Sequence, residues 1–339
     1  MSGTLAKFQA ALGDKAIEVD NRLKQARQRF VETANYDSIV AGIDEIISVL
    51  IRSGLTRSPG KRAQEGKALA VVGESGSGKT TLVRRALETH PAFEGFGTKA
   101  GCPHLVSISV RAPATLGGLG KTLLSALGYH SGASKRDAFE VWEQVRHQIK
   151  MQDVRMIHID EMHGLTQVVN SLEAQKISET FRSLLNSPDH PIGLIFAGTQ
   201  DMLPALFDAR GQLARRTRVV QVMPLQERLD GDLVKATIKV LTDDTNISMD
   251  KSLSHITARL MHASRYQIGL VIEAVLGALE IAIRNDEDVL CKHHFVEFYG
   301  AQSGSSDANN PFVARDWREI DTYNPAMMDE DDLMTEAGQ

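Results

Sequence analysis

The segment Gly73-Glu74-Ser75-Gly76-Ser77-Gly78-Lys79-Thr80 is the strongest indication of the fold class in the sequence. It follows an apolar run and precedes a helical pattern, and it matches the full pattern of a phosphate-binding loop. In such a loop, glycines let backbone N–H groups surround a phosphate at a helix N-terminus. Lys79 then neutralises phosphate oxygens, and the Thr80 hydroxyl binds Mg²⁺. The sequence therefore predicts that this stretch, together with Thr81, binds ATP and Mg²⁺.

An apolar run that ends in two acids, Met156-Ile157-His158-Ile159-Asp160-Glu161, predicts the metal side of the same site. An Asp at the carboxyl end of a strand can hold Mg²⁺ through water, and the Glu that follows can orient and polarise an attacking water. Two acids on a solvated strand end are the structural alternative. His158 and His163 flank the pair without a further ligand set, so we expect no metal site at these histidines.

Bulk properties are those of a soluble globular protein larger than one domain. The 339 residues exceed the roughly 150 residues of a single domain. No window approaches the ~18 apolar residues of a membrane span. The N-terminus lacks the features of a secretory signal, and two cysteines are too few for a disulfide framework, so we expect a cytoplasmic protein.

The net charge of −5 does not exclude a nucleic-acid partner. Residues 301–339 carry nine acids and two bases, so the rest of the chain has 36 bases against 34 acids. The acidic end is typical of a solvated tail, and a locally basic face on the remainder is permitted.

The chain order of periodic segments predicts an α/β domain followed by a helical one. Apolar runs at 68–72, 105–110, 154–159, 192–197 and 218–222 alternate with helical patterns, which indicates a parallel sheet covered by helices on both faces. After Pro224 we expect helices near 227–243, 250–262, 265–284 and 291–299, and no further strand. The predicted domains are a helical N-terminal extension at 1–54, the α/β domain at 55–225, a helical domain at 226–300 and a flexible, acidic, partner-binding tail at 301–339.

Taken in order, these motifs resemble those of AAA+ regulators of DNA transposition of the TniB and TnsC type, and more distantly MuB-like ATPases. The resemblance covers residues 30–300, and bacterial secretion ATPases and origin-binding replication proteins share much of it. It implies an AAA+ P-loop fold with a C-terminal helical lid. Its carriers are Phe30-Val31-Glu32-Thr33, Gly-Lys-Thr-Thr at 78–81, Ile159-Asp160-Glu161-Met162-His163, Phe196-Ala197-Gly198-Thr199, Gln212-Leu213-Ala214-Arg215-Arg216 and Ile268-Gly269.

The resemblance also assigns roles to residues outside the two ATP motifs. Thr199 corresponds to a polar sensor that contacts the γ-phosphate or the attacking water, with a plain strand-end turn as the alternative. Arg215 or Arg216 corresponds to the arginine finger that a neighbouring subunit inserts against the γ-phosphate, with a basic surface helix end as the alternative, and spacing does not decide between the two arginines. Arg265 corresponds to a second sensor on the lid, with a surface arginine as the alternative.

The same resemblance implies ATP-dependent binding to double-stranded DNA by a homo-oligomer, either a ring or a helical filament. Its DNA-facing surface follows the second strand, where the chain has Arg111, Lys121, Lys135 and Arg136. Such side chains can neutralise DNA phosphates, although solvated surface charges are the alternative. The implied partners are a TniQ-like target-selection protein and a DDE transposase, and hydrolysis resets the assembly.

Other functions stay open on sequence alone. An AAA+ ATPase for replication loading or secretion shares the ATP site. A non-catalytic adaptor that uses nucleotide only to hold its fold is a further alternative, but such a protein has no need of Glu161 as a water-orienting acid. The segment Asp160-Glu161-Met162-His163 also suggests a DExH helicase. That class needs two RecA-like domains, and only one α/β set is present.

Overall fold

The computed structural model describes residues 7, 11, 13–55, 66–110, 114–129, 137–166, 171–187, 189–207 and 212–324. Its contacts divide the chain into two units. The sheet unit is Glu32–Met223, and the C-terminal unit joins Met1–Val31 to Pro224–Gln339. Helix α1 (Asp14–Gln28) falls in the C-terminal unit and helix α2 (Ala34–Leu55) in the sheet unit. The segment 1–54, which the sequence suggests is one extension, is therefore shared between the two units.

The sheet unit is built on five parallel strands in the order β2-β3-β4-β1-β5. Every residue of β1, β3 and β4 is buried, whereas β2 and β5, at the two edges of the described sheet, mix buried with exposed residues. Burial on both faces explains the continuous apolar runs in the sequence. The five predicted strands are confirmed to within two residues at each end. Their bounds are β1 Ala68–Val72, β2 Leu105–Ser109, β3 Met156–Asp160, β4 Gly193–Gly198 and β5 Thr217–Gln221.

Helices cover the sheet and set its core. Helix α2 buries Ile39, Ile43 and Ile46 against the central strands. The approach is close, because a Cβ at Gly193 in β4 would lie 2.2 Å from Ile46 Cγ2. The remaining helices of this unit are α3 (Lys79–Thr89), α4 (Leu116–Ala126), α5 (Ala138–Met151), α6 (His163–Thr166), α7 (Ser171–Leu185) and α8 (Met202–Leu206).

The C-terminal unit has its own core, in which α1 packs against two later helices. Its helices are α9 (Glu227–Asp243), α10 (Thr257–Ala263), α11 (Ile268–Arg284) and α12 (Lys292–Ser303). The prediction of no strand after Pro224 is wrong, because β6 (Ser248–Met249) pairs in parallel with β7 (Val289–Leu290). Each strand follows a long helix, so two loops run side by side and exchange backbone hydrogen bonds.

Residues 301–324, the first part of the predicted flexible tail, pack on the C-terminal unit in this structure. Helix α12 continues to Ser303, and the following segment packs on the C-terminal unit. Phe312 is fully buried with its ring centroid 5.6 Å from that of Phe295, and Trp317 is covered by the guanidinium of Arg318 at 4.1 Å. Burial of two aromatic side chains offsets the entropy cost of ordering the segment. Residues 325–339 lie outside the described residues.

No single helix in the described ranges is long and apolar enough to cross a membrane. Helices α10 and α11 meet the length and composition test only as a pair, and they are bent by 110° relative to each other.

His158 is a buried imidazole inside an otherwise apolar strand. Its Nδ1 lies 2.8 Å from the Ser107 hydroxyl on the adjacent strand β2, and its Nε2 has no partner among the described residues. Burial lowers the pKa of His158 from 6.5 to about 4, although the Asp160 carboxylate opposes this shift. The folded protein therefore keeps this ring neutral at physiological pH.

The depressed pKa predicts acid sensitivity. The unfolded chain binds a proton at His158 below pH 6.5, whereas the folded chain does so only near pH 4, so the stabilisation present above pH 6.5 is lost as pH falls to 4. In urea titrations, we expect His158→Gln to reduce the difference between the free energies of unfolding at pH 7 and pH 4.5 by about 2 kcal/mol. His104→Gln, at an exposed imidazole, serves as the control. Equal differences in wild type and His158→Gln contradict the burial argument.

Candidate active site

The carboxyl ends of the three inner strands, β1, β3 and β4, lie side by side at one end of the sheet. Val72 at the end of β1 pairs with Gly198 at the end of β4, and Ile159 in β3 pairs with Phe196 in β4. The loops after these strands therefore leave the sheet at neighbouring positions. This is where parallel α/β sheets bind ligands.

The loop after β1 has the geometry of a phosphate cradle. Gly76 and Gly78 have φ of 78° and 84°, a left-handed conformation that favours glycine. A Cβ at Gly73 would lie 2.9 Å from Ser77 Oγ and 3.0 Å from a backbone carbonyl oxygen. Helix α3 then begins at Lys79, so its N-terminal N–H groups face the loop. The predicted residues 73–80 are thus held as an anion site would require.

Lys79 is buried within this loop. Its Nζ donates to the Glu74 carbonyl oxygen at 2.6 Å and to Ser77 Oγ at 3.3 Å. Burial lowers the pKa of the Lys79 ammonium, and the carboxylates of Glu161, Asp160 and Glu74 oppose this shift. The ammonium is therefore bonded to neutral oxygens of its own loop, which a phosphate oxygen can replace with a stronger, charge-assisted bond.

Oxygen donors of the kind that bind Mg²⁺ follow Lys79 in the chain and lie at the end of β3. Thr80 and Thr81 are exposed in the first turn of α3, and Asp160 is buried at the end of β3. One carboxylate oxygen of Asp160, Oδ1, accepts the Glu161 N–H at 2.9 Å, which leaves the other oxygen for a ligand. A threonine hydroxyl and a carboxylate are donors that Mg²⁺ prefers, so the residues present fit this ion.

Glu161 occupies a turn that is unfavourable for its residue type. Its φ is 57°, and a non-glycine residue in the left-handed region costs roughly 1 kcal/mol. The chain is held in this turn by Met162 N–H, which donates to the Ala197 carbonyl at 3.0 Å, and by Gly164 N–H, which donates to the Glu161 carbonyl at 2.9 Å. Glu161 is thus the first residue after the strand that ends at Asp160, and its side chain is half-exposed.

Thr199 follows β4 at the same edge, and the structure gives its hydroxyl a partner that the sequence did not indicate. The hydroxyl donates to the carboxylate of Asp201. Asp201 lies two residues further on, in the loop before α8. No sequence pattern marks Asp201 as the partner of Thr199, so this contact is found only in the structure.

The two predicted arginines differ in their surroundings. The turn Ala214–Arg216 leads into β5, and the Arg216 guanidinium donates to the side-chain oxygen of Asn186. Arg215 is exposed and has no hydrogen bond or ion pair within the part of the chain that the structure describes. Of the two, Arg215 is the one whose guanidinium is available to another molecule.

Arg265 lies in the C-terminal unit, directly after α10. Its Nε donates to the Thr322 carbonyl at 3.0 Å, and its guanidinium lies 4.8 Å from the centroid of the Tyr323 ring. The segment after α12 therefore engages this residue, which the sequence analysis did not anticipate. Its role as a nucleotide sensor stays a prediction.

Among the four candidate DNA contacts, the structure describes only Lys121, which is exposed on α4. Arg111, Lys135 and Arg136 lie outside the described residues. The DNA-binding surface is thus still a prediction from the resemblance.

A second cluster of possible ligands, Glu287, His293 and His294, lies in the C-terminal unit. The Glu287 carboxylate is 3.2 Å from His294 Nε2 and 3.3 Å from His293 Nε2. However, His294 Nδ1 accepts the Cys291 N–H at 3.0 Å, so a neutral ring carries its proton on Nε2. A metal ligand needs a free lone pair on that nitrogen, so this arrangement fits a helix cap better than a metal site.

Comparisons with known proteins identify related folds. Residues 62–206 match a protein family model described as an AAA domain. The fold is similar to that of the ORC1 protein of Aeropyrum pernix in complex with DNA, at 14% identity over 83% of this chain and 68% of that chain, with a TM-score of 0.57. It is also similar to Cdc6p from Pyrobaculum aerophilum, at 13% identity over 84% of this chain and 70% of that chain, with a TM-score of 0.54. No curated protein matches the sequence.

These similarities show the fold, and they bear out the AAA+ P-loop architecture with its parallel sheet between helices. The C-terminal helical unit and the N-terminal helices that the sequence predicts are also present.

We expect Lys79→Ala to abolish detectable ATP binding, with a loss of about 100-fold or more in affinity, because each charge-assisted bond to phosphate contributes about 1.5–3 kcal/mol. Isothermal titration calorimetry with ATP and Mg²⁺ measures this change. Lys150→Ala removes an exposed lysine from α5 and should bind ATP as wild type does. An unchanged ATP affinity in Lys79→Ala, in a variant that melts as wild type does without nucleotide, would overturn the assignment of the loop.

Proposed function

We propose that this chain is an AAA+ ATPase that binds ATP with Mg²⁺ and assembles with further copies on double-stranded DNA. The observation that carries the proposal is the buried ammonium of Lys79 in a left-handed glycine loop, within electrostatic reach of Asp160 and Glu161. Burying a charged group costs free energy unless the group gains a strong partner. A nucleotide phosphate is such a partner, and the acids supply what phosphoryl transfer needs beside it.

In the proposed site, the glycine-loop N–H groups and the N-terminus of α3 bind the β-phosphate. Lys79 exchanges the Glu74 carbonyl for phosphate oxygens. Thr80 and Asp160 would hold Mg²⁺, which would neutralise negative charge on the phosphate oxygens. The chain's own contribution is a positively charged, partly dehydrated phosphate site within electrostatic reach of Asp160 and Glu161.

Glu161 would accept a proton from the water whose oxygen attacks the γ-phosphorus, while the bond from that phosphorus to the bridging oxygen breaks and ADP leaves. In this proposal Asp160 serves the metal, and Glu161, in the left-handed turn that follows the strand, serves the water. Thr199 contacts the γ-phosphate or this water, and Asp201 orients its hydroxyl. The strained backbone at Glu161 favours one position of its carboxylate at a small cost in stability.

A neighbouring copy supplies the remaining positive charge. We assign the arginine finger to Arg215, since it is exposed without a described partner whereas Arg216 is bound to Asn186. A guanidinium inserted at the γ-phosphate of the next subunit stabilises the charge that develops there, an effect of about 10³-fold or more in related systems. ATP therefore links assembly to hydrolysis.

In this proposal, copies of the chain assemble while bound to duplex DNA. Lys121, with Arg111, Lys135 and Arg136, provides positive charge after the second strand, and the ORC1 structure of similar fold contains DNA. Contacts of this kind neutralise phosphates, so binding should weaken steeply with salt and depend little on sequence.

The finer role that we propose is regulation of DNA transposition, in which the DNA-bound assembly receives a TniQ-like protein and recruits a DDE transposase. Support for this role comes from the motif resemblance alone. Replication loading is the competing role, because the same fold occurs in an ORC1 protein. Pull-down from the DNA-bound, ATP-loaded assembly with a TniQ-like protein and a DDE transposase of the same genome separates them, and capture of neither contradicts the transposition role.

We expect Glu161→Gln to bind ATP with wild-type affinity while its hydrolysis falls by about 100-fold or more, since the amide cannot accept the proton. The variant should stay on duplex DNA as a persistent oligomer after ATP addition. Steady-state ATPase assays, DNA anisotropy and electron microscopy measure these changes.

Glu143→Gln, at an exposed acid on α5, is the control for loss of a carboxylate and should behave as wild type. Wild-type turnover in Glu161→Gln would remove this residue from its role. A DNA-bound state that forms equally well without ATP would contradict nucleotide-dependent assembly.

A further inference from the structure

The turn that carries Arg215 is held at both ends by helix α7. Arg182 on α7 donates to the side-chain oxygen of Gln212, and Arg216 donates to Asn186, which directly follows α7. The two contacts lie on opposite sides of Arg215 in the chain. Neither contact involves a group of the nucleotide site.

The turn itself is compact and anchored. Leu213 is fully buried in the sheet-unit core, and its carbonyl accepts the Arg216 N–H at 3.0 Å and the Thr217 hydroxyl at 2.9 Å. Backbone freedom between Leu213 and Thr217 is therefore small. Within a 3₁₀ turn, successive side chains point about 120° apart, so Arg215 and Arg216 leave it in different directions.

Two adjacent guanidinium groups repel each other, and both could compete for one anionic ligand. The Asn186 oxygen holds Arg216 in one of these two directions. The contact between Arg182 and Gln212 holds the other end of the turn. The Nε atom of Arg182 is buried and has no hydrogen-bond partner among the described residues. Arg215 is left as the guanidinium that the turn presents to solvent.

We propose that Asn186 and Arg182 are positioning residues, which orient Arg215 for insertion into the site of a neighbouring copy. This inference rests on the proposed function, in which Arg215 acts in trans. A misplacement of about 1 Å can cost a reacting group roughly 100-fold in rate. Loss of either contact therefore impairs a subunit as donor of the finger and leaves its own nucleotide site intact.

Single variants give the first test. Asn186 and Gln212 are both exposed, so Asn186→Ala and Gln212→Ala leave the core unchanged. We expect each to lower kcat by about 10-fold to 100-fold while the Kd for ATP stays within about twofold of wild type. Asn186→Asp keeps an acceptor for Arg216 and should retain most activity. Lys176→Ala, at an exposed position on α7, is the matched control and should behave as wild type.

Mixed assemblies separate positioning from a general structural effect. Glu161→Gln keeps its finger and loses hydrolysis, whereas Arg215→Ala keeps its site and loses the finger. An equal mixture of these two should recover about one quarter of wild-type activity, because one head-to-tail interface in four joins an intact site to an intact finger. Asn186→Ala should recover similarly when mixed with Glu161→Gln, and should not recover when mixed with Arg215→Ala.

The outcomes distinguish the two levels of the proposal. Wild-type turnover in Arg215→Ala would contradict the finger assignment and the positioning role together. A loss in Arg215→Ala combined with full activity in Asn186→Ala and Gln212→Ala would overturn the positioning role alone. Failure of Glu161→Gln to restore Asn186→Ala would show damage within the variant's own site, which also contradicts positioning.

Discussion

Parallel hydrogen bonding among β1, β3 and β4 brings three loops of the sheet unit to one edge. The strand register pairs Val72 with Gly198 and Ile159 with Phe196, so the glycine loop, the acid pair and Thr199 must follow neighbouring strand ends. Complete burial of the three strands specifies this arrangement, because a slip of one residue would reverse which side chains face each layer of helices. The positions of the candidate functional side chains therefore depend first on this strand register and only then on the contacts that each side chain makes.

Electrostatic balance at that edge links the fold to nucleotide binding. The Lys79 ammonium is buried against carbonyl and hydroxyl oxygens, and nearby carboxylates partly offset the cost of its burial. Such a site is poised for a ligand that brings negative charge and its own cation, as ATP with Mg²⁺ does. The left-handed turn at Glu161 adds a small local strain, and the structure around it, including the Met162 contact to Ala197, maintains that strain.

The sequence predicts the parts of this structure that depend on short-range patterns. Buried parallel strands appear in the sequence as continuous apolar runs. The phosphate loop and the acid pair are local motifs, so the sequence alone proposes residues 73–81 and 160–161 as candidates. It does not predict contacts between distant segments. The pairing of β6 with β7 and the packing of Phe312 and Trp317 on the C-terminal unit depend on residues far apart in the chain. The composition of the segment after residue 300, rich in Gly, Ser, Asn and acids, predicts flexibility. The side chains of Phe312 and Trp317 in this segment are buried.

The same distinction applies within the site. Spacing did not separate Arg215 from Arg216, because the difference between them is a contact of Arg216 with Asn186, thirty positions earlier. Asp201 and the buried ring of His158 also gave no local signal, since their partners became visible only with the fold. Local motifs thus predict the phosphate loop and the acid pair, whereas the other contacts in the candidate site depend on the tertiary structure.

The proposed mechanism requires that one chain binds ATP alone but hydrolyses it only with a neighbour. The direct measurement is ATPase turnover per subunit across a dilution series, with the oligomeric state followed by sedimentation in the same buffer and with duplex DNA present. We expect turnover to rise over the concentration range in which subunits associate, while ATP binding per subunit stays constant. Turnover that is the same for dilute monomers and for assemblies would contradict this mechanism.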